Sequence, residues 1–167
     1  MKKSHGQKDD VDPLSLLEQD GRICIEQFVT FRVNQLSLLF GRQWMRTFKE
    51  SSGVSIGQWR MLALLQSGSS TVSQLVRVLE MDKALAGRLA RDLQAMSLVD
   101  VRQTPTDARG LTLSLTKGGK DLIDKMRPLV LERQRHLLGA LSVSERASLY
   151  RIIEKLAAAA EEWDLRE

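Results

Sequence analysis

Asp107-Ala108-Arg109-Gly110-Leu111-Thr112-Leu113-Ser114-Leu115-Thr116-Lys117-Gly118-Gly119 contains the change of period on which the fold turns. Leu111, Leu113 and Leu115 alternate with Thr112 and Ser114, the period of two of a strand that buries one face. Upstream, Val99 and Val101 alternate with Asp100 and Arg102 in the same way. Between the two runs, residues 103–110 are rich in turn formers and longer than a tight hairpin needs. The expectation is a two-stranded ribbon with a basic tip. Such a ribbon is marginal alone and must lean on the helices before it.

Three short helical patterns precede the ribbon. The first covers 56–65 and is closed by Ser67-Gly68-Ser69-Ser70. The second opens at Thr71-Val72-Ser73-Gln74, whose spacing is that of a capping box, and runs to about Leu79. The third covers 83–96, with Asp82 placed to cap it and Ala86, Leu89, Ala90 and Leu93 on one face at i, i+3, i+4, i+7. Short helices followed by a basic-tipped ribbon make a winged helix-turn-helix over 55–116, a motif that places one helix in the major groove of DNA. On the third helix Lys83 begins the first turn, and Ala84, Gly87, Arg88 and Arg91 lie opposite the apolar face. Small residues there permit close approach to a groove, and the arginines can reach phosphates or base edges. By itself that face is equally a solvated one carrying two charges.

On both sides the chain returns to long helices, expected at 20–50 and, with Pro128 as a bend, across 117–163. The first has two apolar stripes: Ile25, Phe28, Val29, Leu36, Leu39 and Phe40 on one face, and Cys24, Phe31, Leu38 and Met45 every seven residues on another. A helix apolar on two faces needs two partners, one of which can be a second subunit; the alternative is burial all round in a large core. Ser142-Val143-Ser144-Glu145 is a second capping box, opening a last helix with Leu149, Ile152, Ile153, Leu156, Ala160 and Trp163 on one side. Residues 1–12, polar and without period, read as a flexible tail, leaving 13–167 as a single, mainly α domain.

The 167 residues carry a net charge of +4 and a pI near 9.5. Between Thr71 and Lys120, eight basic residues stand against five acidic ones, so an acidic polymer meets a favourable field. With one cysteine and no apolar run at the start, the expectation is a reducing, cytoplasmic setting and no membrane. Two histidines, His5 in the tail and His136 among arginines, assemble neither a hydrolytic triad nor a metal cluster, so no enzyme, metal or cofactor is expected.

The stretch Asp107–Gly119 resembles the wing signature of the MarR family, D-x-R followed by L-x-L-T-x-x-G. Gln58-Trp59-Arg60-Met61-Leu62, Thr71-Val72-Ser73-Gln74-Leu75 and Asp82-Lys83 through Arg88 and Leu93 are similar to its three short helices, and Leu141-Ser142 with Glu145 to the start of its last. The resemblance covers roughly 22–156. It implies a winged helix-turn-helix with a small two- or three-stranded β-wing, and a homodimer held by the N- and C-terminal helices. It further implies a DNA-binding transcriptional regulator, a ligand-released repressor on a pseudo-palindromic double-stranded operator, with recognition helices in the major groove and wing arginines in the minor groove. The physics is compatible: Asp107 can pair with Arg109 and hold its guanidinium extended, although Asp107 is equally an ordinary turn carboxylate. The family usually has Ser or Thr where this chain has Ala84, Leu85 and Gly87, which removes hydroxyl contacts to bases and shifts readout toward DNA shape and water.

Effectors of that family, small aromatic carboxylates or phenolics, direct attention to Arg32 and Trp59 as ligand candidates. Arg32 sits within the first apolar stripe, and a buried guanidinium needs an anion; snorkelling or pairing with an internal acid serves it equally. Trp59, beside Met61 and Leu62, is otherwise a core residue. Cys24 raises a peroxide-sensing repressor as an alternative, against an inert thiol in a subunit seam. A winged helix that binds protein rather than DNA is the other alternative, and it would lack the basic residues that this helix and wing retain.

Overall fold

The computed structural model describes residues 11–104 and 107–164, with side chains described for all of these except 107–109 and 164. The chain divides into two compact units, Met1–Trp59 and Arg60–Glu167.

In the first unit the expected helix over 20–50 is shorter than its pattern. A 3-10 turn at Pro13–Leu16, capped by the Asp12 carboxylate on the Leu14 amide at 3.0 Å, leads into a hairpin of β1 (Glu18–Gln19) and β2 (Arg22–Ile23). Asp20 and Gly21 form its turn at φ 51° and 71°. Two successive positive φ angles are what a two-residue hairpin of the right twist requires, and Asp-Gly is a favoured pair for them. A 3-10 turn at Ile25–Gln27 follows, and α1 (Val29–Thr47) begins only there. Cys24 is therefore not on the helix, and the seven-residue repeat starting from it is corrected to Phe31, Leu38 and Met45.

The core of this unit is aromatic. Trp44 and Phe48 are buried and stacked, centroids 4.5 Å apart and 8° from parallel, and Trp59 leans on Trp44 at 5.7 Å. A short helix α2 (Lys49–Ser52) ends at Gly53, whose φ of 71° is a left-handed helix stop. Ser55 and Gln58 then cap α3 (Ile56–Leu64) reciprocally: the Ser55 amide donates to Gln58 Oε1 at 2.7 Å and the Gln58 amide to Ser55 Oγ at 3.3 Å.

The second unit carries the wing. A three-stranded antiparallel sheet has the order β3 (Ser70–Thr71), β5 (Asp107–Leu115), β4 (Val99–Thr104), with Val101 opposite Leu113 and Ser70 opposite the same leucine on the other side. Helices α4 (Val72–Leu79) and α5 (Lys83–Ala95) pack on each other and on this sheet around Leu75, Ala86, Leu89, Ala90, Leu93, Val99 and Leu113, all buried. Both predicted caps form: Thr71 and Gln74 make the full capping box, and Asp82 Oδ1 accepts from the Leu85 amide at 2.9 Å. The strands run further into the tip than the turn-rich composition of 103–110 predicts. The register jumps from Gln103 opposite Leu111 to Thr104 opposite Asp107, so Ala108, Arg109 and Gly110 are extra residues on β5, a bulge rather than an open loop.

Two long helices complete the unit, α6 (Lys117–Gly139), with Pro128 inside it, and α7 (Val143–Asp164). The second starts from the predicted box, the Ser142 amide donating to Glu145 Oε2 at 2.7 Å. Hydrogen bonding from the Ser142 side chain, and after it this amide bond, holds the Glu145 carboxyl below its ordinary pKa. Among the described residues no helix is long and apolar enough to cross a membrane.

Candidate nucleic-acid interface

The α5 helix presents two chemically different faces. Ala86, Leu89, Ala90 and Leu93 are at most 9% exposed, as the spacing predicts, while Lys83, Ala84, Arg88 and Arg91 are exposed and Gly87 is half-buried. A Cβ at Gly87 would meet only Arg91 Nη1, at 3.8 Å, so glycine is not demanded by packing inside the chain. Its effect is to leave the outer face low between Ala84 and Arg91, where a groove wall can approach the backbone.

The turn into this helix is tight. Glu80 ends α4 in the left-handed region at φ 47°, Val76 O accepts from the amides of both Glu80 and Met81, and Asp82 then caps α5. At the other end Ser97, also left-handed at φ 58°, closes α5 through its amide on Gln94 O, and the Leu98 amide reaches back to Leu93 O. The chain passes directly into β4.

Three contacts tie the recognition-helix end to the base of the wing, and they account for the L-T-x-x-G part of the signature. Thr116 Oγ1 donates to Ser97 O at 2.7 Å and accepts from the Gly119 amide at 3.0 Å, capping α6. The Thr116 amide donates to Leu98 O at 3.2 Å. Gly119 is buried so closely against Leu98 that a Cβ there would collide with the Leu98 carbonyl oxygen. Helix α5, the strand pair β4–β5 and the start of α6 are therefore linked through one corner, which sets the angle between α5 and the wing.

On the wing, Arg102 is exposed on β4, and Thr104 and Thr112 share a hydrogen bond at 3.0 Å across the strands. Asp107 and Arg109 lie on β5 by their backbone, but their side chains, and hence the expected Asp107–Arg109 pairing, are outside the described residues. Arg77, exposed in the last turn of α4, and Arg102 are cations that the sequence reading counted in the charge balance without placing at the interface. Their signal was positional, since Arg102 occupies an outward register position on β4 between the inward Val101 and the tip.

The two ligand candidates sit in the other unit. Arg32 is exposed and donates from Nη2 to Gln27 Oε1 at 2.9 Å, so the premise of a buried guanidinium in need of an anion is corrected: the 3-10 turn before α1 supplies a neutral partner and solvent the rest. Trp59 is half-buried, with one side taken up by Trp44. Cys24 is half-buried, its thiol 3.7 Å from the Arg22 carbonyl oxygen.

Comparison with known proteins agrees with this anatomy. A description of the MarR family matches residues 52–110, from the end of α2 to the wing bulge. The chain is 27% identical over 96 residues to the HTH-type transcriptional repressor NicR of Pseudomonas putida strain KT2440, a match covering 58% of this chain and 61% of that relative. Its fold superposes on a MarR/EmrR family transcriptional regulator from Acinetobacter sp. ADP1 with a TM-score of 0.77 at 23% identity, covering 84% of this chain and 99% of the other. BpsR of Bordetella bronchiseptica, whose DNA binding is regulated by 6-hydroxynicotinic acid, superposes with a TM-score of 0.73 at 21% identity, over 82% and 98% of the two chains. Residues 52–110 thus match the MarR family, and the chain shares the winged fold of solved regulators of that family.

Proposed function

We propose that the protein is a transcriptional repressor that binds a double-stranded, pseudo-palindromic operator as a homodimer and leaves it when a small acidic or phenolic effector binds. The observation that carries this reading is the outer face of α5, where Lys83, Arg88 and Arg91 stand exposed around Ala84 and Gly87 on a helix whose other face is fully committed to the core. Lys83 and one arginine serve phosphates, and Arg88, central on the face, serves a base edge such as guanine O6 and N7. Arg109, in the bulge, serves the flanking minor groove.

Dimer formation is supported by apolar surface that neither unit covers. On α7, Leu149, Ile152, Ile153 and Leu156 are 38–54% exposed at helical spacing, and Trp163 is 65% exposed. On α1, Val29, Val33 and Leu36 are about half exposed. Stripes of this kind on long helices are covered by a partner in soluble proteins. Effector release is supported by the relatives: NicR is a repressor, and the DNA binding of BpsR responds to 6-hydroxynicotinic acid.

The test is selection of bound sequences from random duplexes, followed by footprinting and a salt titration on the selected site. The expected result is a two-fold symmetric site with half-site centres about 10 base pairs apart and an affinity that falls steeply with salt. Release is then measured with 6-hydroxynicotinate, benzoate and phenol added to the complex. Binding no better on the selected site than on scrambled DNA would remove the repressor reading, and indifference to every member of the effector panel would remove release by that class.

A further inference from the structure

The outer face of α5 carries a chemical pattern more specific than positive charge. Ala84, Arg88, Arg91 and Ala95 recur at i, i+4, i+7 and i+11, all exposed, and form one row along the helix opposite Ala86, Leu89, Ala90 and Leu93. Every polar group in this row is a donor, because a guanidinium has N–H groups and no acceptor. Lys83, in the first turn, adds an ammonium of the same kind. None of these three cations makes an ion pair among the described residues, so their donors are open to a partner. Acceptors stand off the row. Asp82 Oδ1 takes the Leu85 amide, and Asp92 and Gln94, exposed in the last turn, lie on either flank.

Base edges in the major groove answer such a row unequally. Guanine offers O6 and N7, two acceptors matched to one guanidinium, whereas adenine and cytosine present an exocyclic amine that the row has no acceptor to receive. Thymine presents its C5-methyl group, for which the exposed Ala84 methyl is an apolar partner. Ala84 and Arg88 are one turn apart, about 6 Å along the axis. Long helical side chains lean back toward the N-terminus, as Arg91 does here: its Nη1 lies 3.8 Å from where a Cβ on Gly87 would be. With about 3.4 Å between base pairs, contacts from Ala84 and Arg88 therefore fall within about two base pairs of each other.

We propose that α5 reads each operator half-site as a guanine with a thymine beside it, Arg88 donating to guanine O6 and N7 and Ala84 packing on the thymine C5-methyl group. The inference rests on the operator-binding reading above and names the base chemistry that the operator carries. Lys83 and Arg91 then hold the flanking phosphates, and Gly87, which adds no side chain between them, keeps the helix close enough to the groove floor for a methyl-to-methyl contact.

The test uses the selected operator with single-base analogues, binding to the full-length protein being measured by fluorescence anisotropy at one salt concentration. Uracil in place of thymine removes only the methyl group, and 7-deazaguanine in place of guanine removes only the N7 acceptor. Expected are a guanine and an adjacent or next-adjacent thymine recurring in both half-sites. Uracil at that thymine in one half-site should weaken binding about fourfold, and 7-deazaguanine at that guanine about tenfold. The uracil effect should vanish in Ala84→Gly and the 7-deazaguanine effect in Arg88→Ala, since each variant lacks the group that makes the contact. Circular dichroism checks that both variants keep their helices, and the losses in the unaltered protein need no variant to fold. Uracil bound as well as thymine, or a uracil effect that persists in Ala84→Gly, overturns the methyl contact. Half-sites without a recurring guanine, or 7-deazaguanine bound as well as guanine, overturn the Arg88 assignment and leave the operator reading standing. Failure to select any symmetric site removes both.

Discussion

Replacing Gly119 with alanine tests the corner that joins the recognition helix to the wing. In most helical positions Gly→Ala stabilises, by about 1 kcal/mol. At Gly119 the added Cβ would collide with the Leu98 carbonyl oxygen while lying 3.1 Å from Leu115 Cδ2 and 3.2 Å from the Leu98 carbonyl carbon. Leu98 cannot turn aside freely, because its oxygen accepts from the Thr116 amide and its own amide is bound to Leu93 O. Overpacking of this kind costs about 1–3 kcal/mol, and separating α6 from Leu98 loses a backbone hydrogen bond of about 1 kcal/mol. Less the helical gain, the net is a loss of about 1–3 kcal/mol. For a chain of this length that lowers Tm by about 2–12 °C. The measurement is thermal unfolding followed by circular dichroism at one fixed protein concentration, since subunit association contributes to Tm. Gly118→Ala is the internal comparison: its Cβ would stand 3.3 Å from Ser97 O and 3.7 Å from Thr116 Oγ1, close but tolerable, and its loss should be the smaller. A Gly119→Ala protein melting at or above the unaltered one would refute the close approach of α6 to Leu98, and with it the account of why the signature ends in glycine.

Asp82→Ala removes the α5 cap and should cost about 1 kcal/mol, with faster amide exchange confined to the first turn of that helix; uniform exchange changes would contradict a local role. Arg88→Ala should weaken binding to the selected operator by about 1–3 kcal/mol and to scrambled DNA by less, whereas Arg109→Ala should weaken both similarly and lower the salt slope by about one phosphate. Equal losses on both DNAs for Arg88→Ala would show that α5 does not read bases. Glu145 carries a carboxyl whose folded pKa lies below its unfolded one, so the stability it adds is full above the ordinary carboxylate range and is lost as pH falls through the folded value. Glu145→Gln should therefore be less stable than the unaltered protein at neutral pH and match it once the pH is below the folded pKa of Glu145; a gap that persists at the acid limit would assign the effect to something other than the charge.

Much of the second unit was legible because it is built from local rules. The Thr71–Gln74 and Ser142–Glu145 boxes, the Asp82 cap, the buried face Ala86-Leu89-Ala90-Leu93 and the alternating strands all concern residues within a turn or two of one another. The first helix is shorter than its pattern because the apolar periodicity continues upstream from Val29 to Cys24, where the chain is instead leaving the hairpin that turns at Asp20-Gly21. That dipeptide was a turn signal in plain view, and the backbone preference for positive φ prevailed over the hydrophobic pattern. The Ser55–Gln58 box was also visible and passed over, its two bonds lying just before a helix already recognised from its apolar run.

By itself, then, the sequence determined the helices and main strands of the second unit, which face of α5 is committed to the core, and which cations there remain for an acidic partner, since each follows from spacing along the chain. Tertiary structure alone decided what Arg32 pairs with, that residues 108–110 are a bulge on β5, that Gly119 is required by Leu98, and that Lys120 lines a cleft with Leu65 and Ile123. Apart from Arg32 and Gln27, these relations join segments that hydrogen bonding and packing bring together from different parts of the chain, such as Ser97 with Thr116 or Leu65 with Ile123. Periodicity reports which way a side chain points, and only the folded chain settles what it meets there.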